Sequence, residues 1–243
     1  MITHSLDLLP GVPQEPVWQA LSNAAGKELA SGKFAHPDSS AALAINAFGW
    51  FLEKPVELPP FPGIDTSGWD PQIVDVEREV RFPWRGGRHP WLDAVIETSG
   101  MIIGVESKRH EPFRDRKRAQ LSSAYDRDVW GEGMDALCAM RDRLREQPSR
   151  YRYLDGAQLV KHAFGLVTEA GRVGKIPRLH YLFAEPNRDA VHWAGHRLEI
   201  RDFAEAVAGS KVQFSSCSYR EWLDSFSGDA GAHAQRLLDR FTP

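Results

Sequence analysis

The feature that most constrains the fold of this chain is a pair of short apolar segments separated by a turn. Leu92–Glu97 and Met101–Lys108 are rich in aliphatic side chains, and Thr98-Ser99-Gly100 between them is typical of a turn. The pattern predicts an antiparallel hairpin. Because Met101–Val105 is apolar apart from Gly104, we expect the second strand at the centre of a sheet.

The register of this hairpin follows from the position of its turn. If the turn is centred between Ser99 and Gly100, Ile96 faces Ile103 and Asp93 faces Glu106; a loop of odd length would shift the pairing by one residue. Directly opposed residues have Cβ atoms about 4.5–5.5 Å apart, so two carboxylates there can bind one divalent cation. Strand alternation places Lys108 on the face of Glu106.

Two other interpretations compete with a metal site. An Asp followed by Glu-x-Lys often occurs by chance, and Glu106 and Lys108 could form only a salt bridge in an unrelated fold. The apolar character of the strand favours a site, because a solvated face would be more polar. Opposed like charges are also unfavourable unless positive charge lies between them, and a cation together with Lys108 would supply it.

Hydrophobic periodicity predicts helices and strands around the hairpin. Helices are expected at Pro16–Leu29 and Ser39–Leu52, followed by a strand at Ile73–Trp84 with Val74, Val76, Val80 and Phe82 on one face. This order predicts one α/β domain over residues 1–243, with a mixed sheet flanked by helices. The later elements are expected as helices Met134–Arg145, Asp155–Ala170, Phe203–Ala208, Tyr219–Phe226 and Ala232–Phe241 and strands Ile176–Ala184 and Lys211–Cys217.

The segment from Pro90 to Asp93, the apolar hairpin and Glu106-Ser107-Lys108 together resemble the PD-(D/E)XK nuclease motif. The resemblance is closest to a restriction-type branch in which Glu-Ser-Lys is followed by Glu-Pro, here Glu111-Pro112. An upstream helix with Ser39, Ser40 and Asn46 is similar to that branch too. The likeness covers about residues 39–184. It departs from the pattern at Pro90, which precedes the acid by three residues instead of one.

The resemblance implies a restriction-endonuclease-like core of αβββαβ order, with helical additions at both ends. Asp93, Glu106 and the main-chain carbonyl of Ser107 would bind Mg²⁺, or Mn²⁺ in its place, and Lys108 would complete the catalytic set. The implied activity is hydrolysis of DNA phosphodiester bonds by a restriction- or defence-type endonuclease, and such an enzyme could act as a homodimer. The alternative is a catalytically silent fold that acts as a nucleic-acid-binding or assembly module.

Several polar residues outside the motif are candidates for weaker roles. Gln158 and Lys161 share a helix face and, with Arg109, are predicted to contact substrate, although a solvated face is equally compatible with them. Glu77, Glu79 and Glu53 could each extend the metal site, although a single acid is more often a surface residue. His192 and His196 have the spacing of a zinc pair, but no helical pattern supports one. A basic stretch follows the motif and comprises Arg109, Arg114, Arg116, Lys117 and Arg118.

The overall composition narrows the cellular setting. The formal net charge of −3 argues against coating of nucleic acid by bulk positive charge, though not against contacts concentrated in one cleft. Cys138 and Cys217 are far apart and are expected to be reduced thiols. No secretory signal and no membrane-spanning segment is visible. We therefore expect a cytoplasmic protein that does not contact membranes.

Overall fold

The computed structural model describes residues 6–24, 29, 31–116 and 118–243 of the chain. Within them, five strands form one mixed sheet in the order β1-β2-β3-β4-β5. The β1-β2 and β2-β3 pairs are antiparallel, and the β3-β4 and β4-β5 pairs are parallel. The strands are β1 (Ile73–Glu79), β2 (Trp91–Glu97), β3 (Met101–Lys108), β4 (Ile176–Phe183) and β5 (Gln213–Ser218).

Pairing between β2 and β3 confirms the predicted register. Ile96 lies opposite Ile103, and the ladder ends where Ala94 meets Val105, one position before Asp93 and Glu106. The Thr98 N–H donates to the Met101 carbonyl at 3.0 Å and closes the turn. The hydroxyl of Thr98 also accepts a hydrogen bond from the Met101 N–H at 2.9 Å. A short side chain thus fixes the turn and with it the position of every residue on β3.

Eight α-helices surround the sheet in the part of the chain that the structure describes. They are α1 (Gln14–Asn23), α2 (Ser40–Gly49), α3 (Glu111–Arg114), α4 (Asp135–Glu146), α5 (Gly156–Val173), α6 (Ala190–Ala206), α7 (Tyr219–Leu223) and α8 (Gly228–Phe241). Short 3₁₀ turns occupy Lys33–Ala35, Pro55–Glu57, Ser123–Asp126 and Asn187–Asp189. The architecture is α/β with a restriction-endonuclease-like core, as the sequence predicts.

The sheet is buried on both faces. On β3, Ile103 and Val105 pack into an apolar cluster that includes residues from α1, α2, α7 and α8. Ile102 packs into a second cluster with residues from α4, α5 and α6. Burial on both faces explains the almost continuous apolar run of β3, because neither face of a central strand meets water.

Helix α5 approaches β3 most closely at Gly104. A Cβ atom on Gly104 would lie 2.5 Å from Leu92 Cδ1 and 2.7 Å from Leu166 Cδ1, and both leucines are fully buried. The absence of a side chain at this one position lets the helix pack directly onto the strand. The same helix therefore stays close to β3 two residues further along, where Glu106 lies.

Strand β1 differs from the prediction in length and in its buried face. It ends at Glu79 instead of Trp84, and Val80 and Phe82 pack in the α4–α6 cluster while Val74 and Val76 pack in the other. The single-face prediction is therefore wrong. Glu77 has φ +51°, in the left-handed region, which interrupts the alternation between the two pairs.

Two of the predicted helices begin at capping side chains. Ser39 caps α2 by accepting from the Ala42 N–H, and Asp155 caps α5 by accepting from the Gln158 N–H. Helix α1 ends at Asn23, not at Leu29; of the remaining predicted residues, 25–28 lie outside the described part. Helix α6 is far longer than the predicted Phe203–Ala208. Its buried positions include His196, and this polar residue interrupts the apolar periodicity from which the helix could have been predicted.

Among the described residues, no helix is both long enough and apolar enough to cross a membrane.

Candidate active site

The candidate site lies where β2 and β3 separate. Beyond the last ladder pair, the Ser107 N–H donates to Asp93 Oδ2 at 2.6 Å. The carboxylate of Asp93 thus takes the place that a backbone carbonyl would occupy in a continued ladder. The end of the hairpin is held together by this side chain, which fixes Asp93 next to the strand that carries Glu106 and Lys108.

Glu106 is contacted by a lysine from its own strand and a histidine from α5. Lys108 Nζ touches Glu106 Oε1, and His162 Nδ1 lies 3.0 Å from Glu106 Oε2 without the alignment of a hydrogen bond. The side chain of Glu106 is 2% exposed and that of Lys108 14%. Lys108 therefore reaches the surface of the site while Glu106 remains inside it.

The two acids respond differently to burial. Burial raises the pKa of Glu106, but Lys108 and His162 outweigh it and lower the pKa to about 2. Burial also raises the pKa of Asp93, and the negative charge of Glu106 raises it further against the opposing effect of Lys108. Burial opposes the charge on Lys108, but Glu106 and Asp93 raise its pKa above the ordinary lysine value. The site thus contains a stable ion pair and a second carboxyl group that is costly to ionise.

Ser107 is held by its backbone and by its side chain. Its hydroxyl is 2.6 Å from the hydroxyl of Tyr219 on α7, and both side chains are buried. The N–H and C=O of one strand residue point toward the same neighbouring strand. Because the Ser107 N–H points to Asp93, its carbonyl lies on that side as well. A third oxygen is therefore available beside the two carboxylates.

These donors fit a divalent cation with hard oxygen ligands. Mg²⁺ is typically bound by one or two carboxylates and keeps several waters, so Asp93, Glu106 and the Ser107 carbonyl form a suitable set. The raised pKa of Asp93 is the observation that favours a cation, since added positive charge would offset the repulsion between the two acids. Over residues 6–24, 29, 31–116 and 118–243, no cluster of three or more His, Cys, Asp or Glu side chains is arranged for metal binding.

Glu77 lies across from Asp93 on β1, between the paired positions Val76–Ala94 and Arg78–Leu92. Its charge contributes to the raised pKa of Asp93. A non-glycine residue with positive φ costs on the order of 1–3 kcal/mol, so this backbone conformation is maintained by the surrounding fold. Glu77 is therefore electrostatically coupled to Asp93, although the sequence alone favours a surface position for it.

The sequence predicts Arg109 as a substrate contact, but in the structure its side chain makes contacts within the protein. Its guanidinium is buried and donates to the Pro37 carbonyl at 2.7 Å and to the Phe241 carbonyl. The guanidinium thus ties the end of β3 to the segment before α2 and to the end of α8. Glu111, from the Glu-Pro segment, accepts from the Ser40 hydroxyl and from the Arg109 N–H at 3.0 Å. These contacts anchor the chain leaving the site.

Gln158 and Lys161 lie on α5 beside His162 and are partly buried. Lys161 lines an open groove of about 600 Å³ with residues of the segment after α3, including Gln120 and Tyr125. Burial lowers its pKa against the opposing charge of Asp155. In the basic stretch after β3, Arg114 approaches Asp38 at 3.6 Å, and Lys117 lies outside the described residues.

His162 is the residue of the site that the sequence analysis missed. It falls on the buried side of the predicted α5 stripe, next to Lys161, where a histidine among apolar residues could have been noticed as a candidate. The two histidines with the spacing of a zinc pair form hydrogen bonds with tyrosines. His192 Nδ1 is 3.2 Å from the Tyr153 hydroxyl, and His196 Nε2 is 3.0 Å from the Tyr181 hydroxyl.

Comparison with known proteins places the chain in a family. The model of the family described as "restriction endonuclease associating with ARP" matches residues 14–241. The chain belongs to this family. The match includes every strand of the sheet and all residues of the candidate site, which agrees with a restriction-endonuclease-like fold. Neither the curated proteins nor the solved structures contain a significant match.

Proposed function

We propose that the chain is a Mg²⁺-dependent nuclease that hydrolyses phosphodiester bonds of DNA, in a restriction or defence role. The observation that carries the proposal is the meeting of Asp93, Glu106 and Lys108 at the end of the β2-β3 hairpin, within a restriction endonuclease family. Perturbed acids buried beside a cation are more frequent at catalytic sites than elsewhere.

Each residue has a distinct role in this proposal. Asp93, Glu106 and the carbonyl of Ser107 would hold the ion. When bound, the ion would polarise the phosphodiester and lower the pKa of a water molecule. Lys108 keeps its proton and holds a positive charge at the surface of the site, where the phosphorane-like transition state gains negative charge. His162 contacts the outer side of Glu106 and keeps that carboxylate ionised.

Cleavage assays test the catalytic assignment. Supercoiled plasmid and short DNA and RNA duplexes are incubated with the pure chain in Mg²⁺, Mn²⁺ or chelator. We expect metal-dependent nicking, lowered about 10²–10³-fold by Lys108→Ala, because one electrostatic group is lost. The surface variant Glu146→Ala is the matched control and should cut at the parent rate. Nicking by folded Lys108→Ala at the parent rate would refute the role of this lysine.

Thermal unfolding tests the metal assignment independently of cleavage. At 100 times its Kd, Mg²⁺ stabilises the folded state by about 2.7 kcal/mol, which is a Tm rise of roughly 5–10 °C for a chain of this size. Asp93→Asn should abolish the rise. In chelator, and at a pH above the ordinary aspartate pKa, the same variant should be at least as stable as the parent. The parent is destabilised under these conditions because ionised Asp93 is unfavourable. If Asp93→Asn and the parent responded equally to Mg²⁺, the metal site would have to lie elsewhere.

A catalytically silent nucleic-acid-binding module is the second candidate. The observation in its favour is that contacts with Lys108 and His162 already stabilise the negative charge of Glu106. Such a module would bind duplex DNA in a gel-shift assay without nicking it under any metal condition. Binding together with metal-dependent nicking would exclude this second candidate.

A further inference from the structure

A small cleft opens beside Lys108, on the side away from Asp93. It is lined by Lys108 and Tyr181 from the sheet, by the segment Arg152–Asp155 before α5, and by Glu111, Pro112 and Asp115 around α3. Its volume of about 20 Å³ admits one water molecule or one oxygen of a larger group. A phosphodiester could therefore insert one oxygen here while the rest of the strand lies at the mouth.

Arg152 is a cation of this cleft without an acidic partner among the residues that the structure describes. Its Nη1 is buried and has no hydrogen bond there, although a buried donor of this kind is normally paired. The neighbouring Arg150 differs, because both oxygens of Asp202 accept from it at 2.9 Å. The guanidinium of Arg152 lies 5.2 Å from the ring centre of Tyr153, which limits its orientations.

The backbone that carries Arg152 is held by a single carboxylate of α6. Glu199 accepts from the N–H groups of Arg152 and Tyr153 at 2.7 Å each and from that of Leu154 at 2.9 Å. Three charge-assisted hydrogen bonds to consecutive residues fix this segment strongly. Glu199 is not one of the residues that line the cleft, so its effect on the cleft is exerted through the segment.

The acids around the cleft are largely committed to other contacts. Glu111 accepts from Ser40 and from the Arg109 N–H, and Asp155 caps α5 through the Gln158 N–H. Asp115 is exposed at the rim. Of the two cations that line the cleft, Lys108 contacts Glu106, so an anionic oxygen that enters the cleft would find its partner in the guanidinium of Arg152. A planar guanidinium recognises phosphate oxygens well because it can donate two parallel hydrogen bonds.

We propose that Arg152 binds a backbone phosphate of the nucleic-acid substrate next to the reacting phosphodiester, and that Glu199 is the positioning residue that holds Arg152 there. The inference rests on the proposed nuclease function, to which it adds a specific phosphate contact. It accounts for the unpaired guanidinium, for the rigid segment that carries it and for its place beside Lys108.

Duplex binding in chelator tests the contact without cleavage. Affinity of a short fluorescein-labelled duplex is measured by anisotropy over a series of salt concentrations. Arg152→Gln should weaken binding about tenfold and reduce the salt slope by about 0.9, the value for one lost phosphate contact on duplex DNA. Arg143→Gln removes the same charge from an exposed position on α4 and serves as the control. Arg152→Lys should recover part of the affinity, because it keeps the charge but not the fork.

A double-mutant cycle tests the role of Glu199. If Glu199 acts through Arg152, Glu199→Gln should weaken binding in the parent but not in Arg152→Gln, whereas a general structural effect would add to it. Equal slopes and affinities for Arg152→Gln and Arg143→Gln would overturn the contact and leave the nuclease proposal intact. A parent that binds no nucleic acid would overturn both proposals. A parent that binds but never cleaves would refute nuclease activity alone, and the slopes would still decide the contact.

Discussion

The substitution Gly104→Ala tests whether close packing of α5 on β3 is needed for stability. Gly104 lies in the middle of β3, opposite Val95 on one side and Leu179 on the other. The added methyl group would lie 2.5 Å from Leu92 Cδ1 and 2.7 and 3.0 Å from the two Cδ atoms of Leu166. Both leucines are 0% exposed, so neither can rotate into solvent to make room.

The magnitude follows from two opposing contributions. Forcing an extra carbon into a packed core costs about 1–3 kcal/mol. Replacing glycine by alanine in a strand returns about 0.5–1 kcal/mol, because the unfolded chain loses freedom. We therefore expect a net loss centred on about 1 kcal/mol, within a range of about 0–2.5 kcal/mol. For a chain of this size, a loss of about 1 kcal/mol corresponds to a Tm lower by about 2–4 °C.

Urea and thermal unfolding provide the measurement, with Gly171→Ala as the matched control. Gly171 is exposed on α5, and a Cβ atom there would meet nothing within 4 Å. The same chemical change at Gly171 should stabilise the chain by up to about 1 kcal/mol, through helix propensity alone. If Gly104→Ala were as stable as Gly171→Ala with an unchanged urea m-value, the close approach of α5 to β3 would be refuted.

Two further predictions concern buried charged side chains outside the proposed catalytic set. Glu97 accepts from Arg78 at 2.6 Å and from Lys175 at 2.7 Å; Glu97→Gln should destabilise the chain by about 2 kcal/mol at neutral pH in urea unfolding. Burial raises the pKa of Glu97, but the two cations lower it overall, so the stabilisation by ionised Glu97 is lost as pH falls. The stability difference between the parent and Glu97→Gln should therefore shrink below about pH 4. A difference that does not change with pH would contradict this prediction. Arg109→Gln should lower the free energy of unfolding by about 1–2 kcal/mol while the folded variant keeps the parent salt slope in duplex binding; a reduced slope would show a phosphate contact at Arg109.

The hairpin register could be predicted because two local signals agree. The turn at Thr98–Gly100 fixes which residues face each other, and the apolar run of β3 shows that the strand is central. Both signals are contained within about twenty residues, so no distant contact can override them easily. The caps at Ser39 and Asp155 are predictable for the same reason, since each side chain bonds a backbone group three residues away.

The parts that could not be predicted depend on contacts between distant segments. His162 belongs to the site only because Gly104 allows α5 to lie against β3, and nothing local to residue 162 encodes that approach. Arg109 looks like a free basic residue until the chain ends fold over it and supply the carbonyls of Pro37 and Phe241. The face change in β1 depends on the backbone conformation of Glu77, which its residue type would not suggest.

The location of the acids shows that this end of the hairpin is not arranged for stability. A stable sheet would continue the β2-β3 ladder and keep apolar residues opposite each other, as it does from Ala94 to Ile96. Instead the ladder stops, a carboxylate replaces the missing carbonyl, and a second buried carboxylate raises its pKa. Lys108 and His162 compensate the charge of Glu106, whereas Lys108 offsets only part of the rise in the pKa of Asp93. The remaining unfavourable charge on Asp93 is what a bound cation would relieve, so stability and metal binding should respond in opposite directions to its removal.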